Sequence, residues 1–348
     1  MLPGVEQALG DVGRVREASV EGGRARATVE LGFPARTVTG ELERFLRERL
    51  AMAAGTDSAE VRLETRIVAH GVQPNLKPLP GVSNIVAVAS GKGGVGKSTV
   101  AANLALALAR DGASVGLLDA DIYGPSQPLM MGLAGKRPTS EDGKSITPLE
   151  AHGLQVMSIG FLIDADQPMV WRGPMVTQAL NQLLNQTRWA ELDYLVVDMP
   201  PGTGDIQLTL SQRVPVSGAV IVTTPQDIAL ADARKGLQMF RKVSVAVLGI
   251  VENMSTHICG HCGFEEPIFG SGGGERLARD FDVEHLGRLP LDIRVREQTD
   301  GGRPTVVADP ESAAAEAFMH TARRMAARLA MQGKDYSRRF PQIVVEDS

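Results

Sequence analysis

A glycine-rich segment at residues 91–98, GKGGVGKS, constrains the fold of this 348-residue chain more than any other feature of its sequence. It matches the pattern G-x-x-x-x-G-K-[ST], in which glycines allow several backbone N–H groups to point at phosphate oxygens. An apolar run at residues 85–89 precedes it, and Val100, Leu104 and Leu108 follow it at helical spacing. A strand, a phosphate loop and a helix in this order predict an α/β fold in which the amino terminus of the helix faces a nucleotide.

The loop residues predict an ATP site that also binds Mg²⁺. Lys97 is expected to contact the β- and γ-phosphates, Ser98 to bind Mg²⁺ and Thr99 to contact the α-phosphate. Lys92 is a second lysine, and it is either a solvated loop residue or a cation that crosses a dimer interface to stabilise charge in phosphoryl transfer. The sequence KGGVGKST resembles the deviant Walker A motif of the MinD/ParA/nitrogenase-iron-protein class, in which that lysine acts across the dimer. The predicted ATP-binding residues of the loop are Gly91, Lys92, Gly93, Gly94, Val95, Gly96, Lys97, Ser98 and Thr99.

Carboxylates end two further apolar runs. Asp119 and Asp121 follow one run, and Asp198 ends the run YLVV. Carboxylates at the carboxyl edge of parallel strands face the ligand crevice, so Asp198 is predicted to hold Mg²⁺ through water. The resemblance to the MinD/ParA class implies that Asp121 positions the attacking water and that Asp119 assists the Mg²⁺ shell. A capping or solvated carboxylate is the alternative for each.

Asn253 follows another apolar run, at residues 248–251. An asparagine amide donates and accepts at once, which matches the N7 and N6 edge of adenine. The alternative is a turn asparagine without a ligand. No Asn-Lys-x-Asp guanine-reading motif is present, which favours ATP over GTP.

The pattern along the chain predicts two domains of unequal size. Residues 1–70 contain a hairpin pattern, a helical stripe and a third alternating strand, which together predict a small α+β domain. Residues 71–82 carry three prolines and two glycines and are predicted to be a linker. Residues 83–333 alternate strands apolar on both faces with helices, which indicates a mainly parallel sheet covered by helices on both faces. Residues 334–348 are predicted to be a carboxyl-terminal tail.

Composition excludes several classes of protein. The 43% hydrophobic and 22% charged residues are those of an ordinary globular protein, and no apolar run approaches the roughly 20 residues of a membrane span. A net charge of −5 with mixed signs argues against a nucleic-acid-binding role. Because no secretory signal is visible, we expect a cytoplasmic protein with neither membrane nor nucleic acid as a partner.

The two cysteines of the chain, Cys259 and Cys262, form one C-x-x-C pair. In a reducing compartment such a pair more often binds metal or performs redox chemistry than forms a structural disulfide. Two thiolates supply half of a four-thiolate site. A twofold dimer could complete that site for an iron–sulfur cluster, His257 or His261 could complete a zinc site, or the pair could be a dithiol switch.

A resemblance to a known family covers residues 83 to about 310. The motifs that carry it, in order along the chain, are SGKGGVGKST, LLDADIYGPS, WRGPM, DYLVVDMPPGTGD, TTPQDIAL, GIVENMS and the C-x-x-C before EPIFG. Together they resemble the bacterial Mrp/ApbC iron–sulfur cluster carriers. The phosphate loop alone marks only the superclass, whereas the order of ENM, C-x-x-C and EPIFG marks this branch.

This resemblance implies a MinD-like homodimeric ATPase that holds a [4Fe–4S] cluster between two C-x-x-C pairs. The implied cluster ligands are Cys259 and Cys262, and the implied acceptors are apo iron–sulfur proteins. Hydrolysis of ATP is expected to be slow and coupled to cluster loading or transfer. Residues 1–70 are loosely similar to the small domain of the MIP18 (DUF59) kind. The residues implied to act in catalysis are Lys92, Lys97 and Asp121.

The competing hypothesis is a MinD/ParA-type positioning ATPase with a zinc or redox C-x-x-C. It draws on a basic amphipathic helix predicted near residues 311–331, which could lie on anionic lipid. The alternative for that helix is a packing element that covers the sheet.

Overall fold

The computed structural model describes residues 1–74, 76–162, 173–259 and 261–334. The tail residues 335–348 and Trp171 and Arg172 of the WRGPM motif lie outside the described residues.

The amino-terminal part of the chain forms a three-stranded sheet with one helix packed against it. Its elements are a short α1 (Leu9–Val12), β1 (Gly13–Glu21), β2 (Arg24–Leu31), α2 (Thr39–Ala54) and β3 (Ser58–Thr65). β1 and β2 are antiparallel, with Gly22 and Gly23 at positive φ in the turn, and β3 pairs parallel to β2. Leu42 and Leu46 of α2 are buried with the alternating apolar residues of β2. These elements agree with the predicted hairpin, helix and strand.

An eight-stranded sheet forms the centre of the larger part. Its strands are β4 (Val82–Ala89), β5 (Val115–Asp119), β6 (Leu149–Ala151), β7 (Leu154–Ser158), β8 (Leu192–Asp198), β9 (Gly218–Thr223), β10 (Val247–Glu252) and β13 (Glu284–Arg288). Two short strands, β11 (His257–Ile258) and β12 (Glu265–Glu266), pair with each other outside this sheet. The strand order of the large sheet is β13-β10-β9-β4-β8-β5-β7-β6, and each pairing is parallel except that of β6 with β7. Nearly every residue of β4, β5, β8 and β9 is buried, which explains why these strands are apolar on both faces.

Helices flank this sheet on both sides. The crossover from β4 to β5 runs in one direction along the sheet, and those from β8 to β9 and from β9 to β10 run in the other. Because such crossovers are right-handed, their helices lie on opposite faces. The α/β fold predicted from the sequence is confirmed. The helices are α3 (Lys97–Arg110), α4 (Gln127–Met130), α5 (Gly173–Gln186), α6 (Asp205–Arg213), α7 (Asp227–Lys242), α8 (Gly273–Asp280), α9 (Ile293–Asp300), α10 (Thr305–Ala308) and α11 (Ala313–Ala330).

The last helix, α11, packs into the molecule with its apolar side. Phe318, Met325 and Leu329 are buried, and the helix contacts α3 and β13. This arrangement is the packing alternative considered for the amphipathic pattern at residues 311–331. Within the described parts of the chain, none of the helices has the length and apolar character needed to cross a membrane.

A buried ion pair between Asp111, at the carboxyl end of α3, and Arg323 of α11 lies where the larger part of the chain contacts the amino-terminal part. Asp111 accepts a 2.7 Å hydrogen bond from Nε of Arg323 in α11 and a 3.0 Å bond from the backbone N–H of Thr37. The N–H of Arg36 donates to the Asp111 carbonyl at 3.0 Å. The helix that begins at the phosphate loop therefore ends in contact with the amino-terminal part of the chain.

The segment predicted as a linker makes buried contacts of its own. Gln73 donates from Nε2 to the carbonyls of Ser211 (2.7 Å) and Val214 (3.0 Å), and its Oε1 accepts from the N–H of Val216 at 2.9 Å. Just before this segment, His70 donates from Nδ1 to Oδ1 of Asn84 on β4, 2.9 Å away. A proline-rich composition indicates the lack of regular structure here, but it carries no information about these side-chain anchors.

Candidate functional site

The phosphate loop lies between β4 and α3, and two of its glycines are required by their surroundings. A Cβ on Gly91 would overlap the carbonyl group of Asp232 in α7, so the backbones of the loop and of this helix are in direct contact. Gly96 has a φ of +81°, and a Cβ there would overlap Nδ2 of Asn253. The loop is thus held between α7 and the end of β10.

Lys97 joins the loop to the carboxylates predicted to surround it. Its Nζ lies 2.5 Å from Oδ1 of Asp198 and 3.9 Å from Oδ2 of Asp121, and its side chain is 6% exposed. Asp198 ends β8, and Asp121 follows β5, the neighbouring strand. The parallel sheet therefore brings together residues that are far apart in sequence, as the strand-end pattern predicted.

Asp119 at the end of β5 is fully buried and accepts three hydrogen bonds. The donors are the N–H of Asp121 (3.1 Å), the N–H of Gln127 (3.1 Å) and Oγ of Ser158 (3.0 Å). Burial, followed by the nearby charge of Asp198, raises the pKa of Asp119 to about 7, and the three hydrogen bonds oppose the shift. Burial also raises the pKa of Asp121, while Lys97 opposes that shift.

Gln127, at the start of α4, was not predicted from the sequence. Its Nε2 donates to Oδ2 of Asp198 (2.9 Å) and to the carbonyl of Ser98 (3.0 Å), in addition to the backbone bond to Asp119. A glutamine carries no motif signal by itself. The sequence indicates it only by its position, shortly after the second aspartate of LLDAD and directly before Pro128 in the first turn of a short helix.

The donors at this site fit Mg²⁺. Ser98 supplies a hydroxyl and Asp119 and Asp198 supply carboxylates, the hard oxygen ligands that Mg²⁺ prefers. Oε1 of Gln127 is buried near them and has no hydrogen-bond partner in the described parts of the chain, as expected for an oxygen that faces a bound ion or its water. The magnesium site predicted at Ser98, Asp119 and Asp198 remains a prediction.

The other predicted ATP-binding residues lie in and beside the loop. Lys92, Gly93 and Gly94 are exposed, so the second lysine is accessible to a partner. Thr99 is in the first turn of α3. Asn253 is 8% exposed and donates from Nδ2 to the carbonyl of Val95, 2.8 Å away, so the loop backbone occupies one donor of the amide predicted to read adenine.

The cysteine pair lies at the turn between two short strands, β11 (His257–Ile258) and β12 (Glu265–Glu266). Cys259 is half-buried and Cys262 is exposed, and both are free thiols. The N–H of Cys262 and then that of His261 lower the pKa of the Cys259 thiol, which favours the thiolate. Phe264, whose carbonyl accepts from the N–H of Cys259 at 2.9 Å, has an exposed side chain, and so has Ile268 further along the chain.

The histidines weighed as zinc ligands differ in their surroundings. His257 has Nδ1 at 3.1 Å from the carbonyl of Leu291, so one ring nitrogen contacts the backbone. His261 is exposed. Across residues 1–74, 76–162, 173–259 and 261–334, no three His, Cys, Asp or Glu side chains come together as a metal site.

This chain is a P-loop nucleoside triphosphatase, because its phosphate loop lies between a strand and a helix and carboxylates end the adjacent strands. Comparison with known protein families and solved structures identifies it as an ATPase of the ParA and MinD type. The chain belongs to the ParA family described as NUBPL iron-transfer P-loop NTPases, whose family model matches residues 81–326. The resemblance given by its sequence motifs is therefore confirmed.

Curated relatives extend this similarity over most of the chain. The iron-sulfur cluster carrier protein of Pseudomonas fragi is 64% identical over 259 residues, which is 74% of this chain and 90% of that protein. The iron-sulfur cluster carrier protein of Haemophilus influenzae is 51% identical over 331 residues, 95% of this chain and 90% of that protein. The iron-sulfur cluster transfer protein NUBPL of Mus musculus is 51% identical over 283 residues, 81% of this chain and 88% of that protein.

Solved structures agree with the family. A nucleotide-binding protein from Archaeoglobus fulgidus, in complex with ADP, is 40% identical with a TM-score of 0.60, and the match covers 68% of this chain and 93% of that one. The cell division ATPase MinD of Pyrococcus furiosus is 25% identical with a TM-score of 0.52, and the match covers 70% of this chain and 98% of that one.

Proposed function

We propose that this chain is an ATP-dependent iron–sulfur cluster carrier that binds a [4Fe–4S] cluster between the cysteine pairs of two copies and transfers it to apo-proteins. The observation that carries the proposal is that one chain has both a nucleotide site and a C-x-x-C pair at a hairpin turn, with Cys262 exposed and Cys259 half-buried. Its relatives named as iron–sulfur cluster carriers and its iron-transfer family support it.

The cluster is the cargo, and the chemistry of the pair suits its reversible binding. Cys259 and Cys262 supply two thiolates per chain, so a twofold dimer supplies the four that a [4Fe–4S] cluster takes. The lowered pKa of Cys259 favours the form that binds iron. Since Cys262 is exposed, an acceptor thiolate can approach the cluster from outside.

The nucleotide site supplies the switch. When ATP binds, Lys97 exchanges its contact with Asp198 for contacts with the phosphates. Ser98, with Asp119 and Asp198 acting through water, would hold Mg²⁺, which neutralises phosphate charge. Asp121 positions the attacking water, and Lys92 reaches the nucleotide of the second copy. The loop from Gly91 to Thr99 and Asn253 contact ATP.

The same proposal covers the organisation and surroundings of the chain. Residues 1–70 form a small α+β domain, and residues 83–333 form the ATPase domain. Two copies of the whole chain form a homodimer in the cytoplasm. The buried apolar side of α11 argues against the membrane-positioning alternative, because that side is already packed against α3 and β13.

Cluster transfer to an apo iron–sulfur protein tests the proposal. The cluster-loaded wild type is expected to transfer faster with Mg-ATP than without nucleotide, and Lys97→Ala should remove the difference. A C-x-x-C variant, Cys259→Ser/Cys262→Ser, is the negative control. Equal transfer by wild type and Lys97→Ala under every nucleotide condition would exclude ATP coupling, and equal transfer by the cysteine variant would exclude this cargo site.

A further inference from the structure

The residues Glu252, Asn253 and Met254 lie between the phosphate loop and the cysteines. They end β10 and lead into the cysteine segment, which we define as residues 255–259 and 261–272. Asn253 donates from Nδ2 to the Val95 carbonyl at 2.8 Å, and no Cβ would fit on Gly96 because this amide fills the space. Any change in the backbone of the loop at Val95 and Gly96 therefore acts directly on Asn253.

Both ends of the cysteine segment are anchored at this point. At its start, the N–H and Oγ of Ser255 both donate to the carbonyl of Leu289, at 3.0 and 3.1 Å. Beyond its end, the N–H of Gly274 donates to Oε2 of the buried Glu252 at 2.6 Å. The N–H of Leu289 itself donates to the carbonyl of Glu252, at 2.9 Å. A displacement at residues 252–253 is thus transmitted to the entry and the exit of the segment together.

The backbone at this junction is constrained. Met254 has a φ of +55°, a left-handed conformation that is unfavourable for a residue with a side chain. Hydrogen bonds on both sides hold it there, from the N–H of Asn253 to Thr223 (2.8 Å) and from the N–H of Ser255 to Leu289. Such conformations persist where the surroundings determine them fully, and they are common at switch regions.

We propose that Asn253 is a positioning residue that couples the conformation of the phosphate loop to the cysteine segment through its hydrogen bond to Val95. This inference rests on the proposed function, because it takes nucleotide as the signal and the cysteines as the responding site. It assigns Asn253 a role in coupling that is separate from contact with adenine.

Thiol reactivity in the metal-free protein measures this coupling without a cluster. The reduced full-length chain is alkylated with iodoacetamide without nucleotide, with Mg-ADP and with a Mg-bound non-hydrolysable ATP analogue at saturation. Mass spectrometry then follows the peptide that carries Cys259 and Cys262. In the wild type the alkylation rate is expected to differ between nucleotide states by about fivefold or more, the lower range of allosteric coupling factors.

Asn253→Ala should reduce that ratio to about one, since no donor remains for Val95. Asn253→Asp, which keeps the shape and loses the donors, should do the same and serves if the alanine variant fails to fold. Ser255→Ala is the matched control: it removes only the Oγ bond to Leu289, keeps the backbone N–H bond that anchors the segment and the contact with Val95, and should retain the response. Nucleotide affinities, ATP and GTP alike, are measured in parallel.

Two results would overturn the inference. One is a wild type whose thiols react equally in all nucleotide states. The other is a full response in both Asn253 variants at saturating nucleotide with only the preference for ATP over GTP lost, which would leave Asn253 as an adenine contact alone. Failure of the proposed function is distinguishable, because it appears as no cluster on reconstitution of the wild type whatever the thiol response.

Discussion

At the scale of single residues, the nucleotide site depends on a compact set of buried charges. Lys97 is in contact with Asp198, and Asp119 lies beside them with a pKa raised to about 7. Breaking a buried pair by removing one partner is costly, because the remaining charge stays in a poorly solvated place. The amide of Gln127 helps this arrangement by holding Asp198 and the Ser98 carbonyl together.

Gln127→Leu is expected to weaken the magnesium dependence of the ATPase. The leucine fills the same space but leaves Asp198 without one of its donors, so the carboxylate is free to turn. Loss of an outer contact to a metal ligand typically lowers metal affinity about 10–100-fold. The Mg²⁺ concentration at half-maximal ATPase rate should rise within that range.

Gln155→Leu is the control for Gln127→Leu, because Gln155 accepts a bond from the N–H of Ala190 away from the nucleotide site. An unchanged Mg²⁺ requirement in Gln127→Leu, with normal folding, would show that this amide has no part in holding the carboxylates.

Only some residues of the candidate nucleotide site could be predicted from the sequence. The phosphate loop, Asp119, Asp121 and Asp198 could be proposed as site residues, because a glycine pattern and carboxylates at the ends of apolar runs are local features of the sequence. Gln127 and Ser158 could not be found, because their roles depend on hydrogen bonds across a sheet rather than on local sequence. The bond from Asn253 to Val95 was missed for the same reason.

At the scale of secondary-structure elements, α3 connects two distant parts of the chain. It begins at the phosphate loop and ends at Asp111, which pairs with Arg323 of α11 at 2.7 Å and bonds to Thr37. Arg323→Met should lower the free energy of unfolding by about 3–5 kcal/mol, because Asp111 would be left as a buried unpaired charge. Urea unfolding followed by circular dichroism measures this loss.

The double variant Asp111→Asn/Arg323→Met completes a thermodynamic cycle. Once both charges are absent, its loss should be smaller than the sum of the two single losses. Strict additivity would mean that the two side chains do not stabilise the docking of α11 as a pair.

Buried histidines make the stability of these elements depend on pH. Burial lowers the pKa of His70, His285 and His320 below the ordinary value of 6.5. The unfolded chain therefore binds protons more tightly than the native chain, so stability is fully present above pH 6.5 and falls as the pH drops below it. The unfolding free energy should decline from about pH 7 toward about pH 5.5 in urea titrations.

His70→Gln tests this pH dependence most directly, because His70 is only 2% exposed. Glutamine can still donate to Asn84 but does not titrate. The slope below pH 6.5 should fall by up to about 1.4 kcal/mol per pH unit, the value for one proton. His261→Gln, at an exposed position, is the control, and an equal slope change in both variants would contradict the assignment to burial.

For the molecule as a whole, the sequence predicted a parallel sheet covered by helices but not the order of its strands or the contacts that pack the rest of the chain against it. Strands such as β4 and β8 are buried on both faces, so their composition indicates both the strand and the covering helices. Three features depend on contacts between residues far apart in sequence, which no local pattern encodes: the strand order, the hydrogen bonds of Gln73 to the region around Ser211, and the packing of α11 against α3 and β13.

Anaerobic reconstitution with iron and sulfide tests the proposal that two copies of this chain share one cluster. It is carried out on the wild type and on Cys259→Ser/Cys262→Ser, with iron and sulfide counted per dimer and absorption and Mössbauer spectra recorded. The wild type is expected to bind about four iron and four sulfide per dimer, with the spectra of a [4Fe–4S] cluster, and the double variant none. A wild type that forms no chromophore, or that binds zinc in its place, would contradict it.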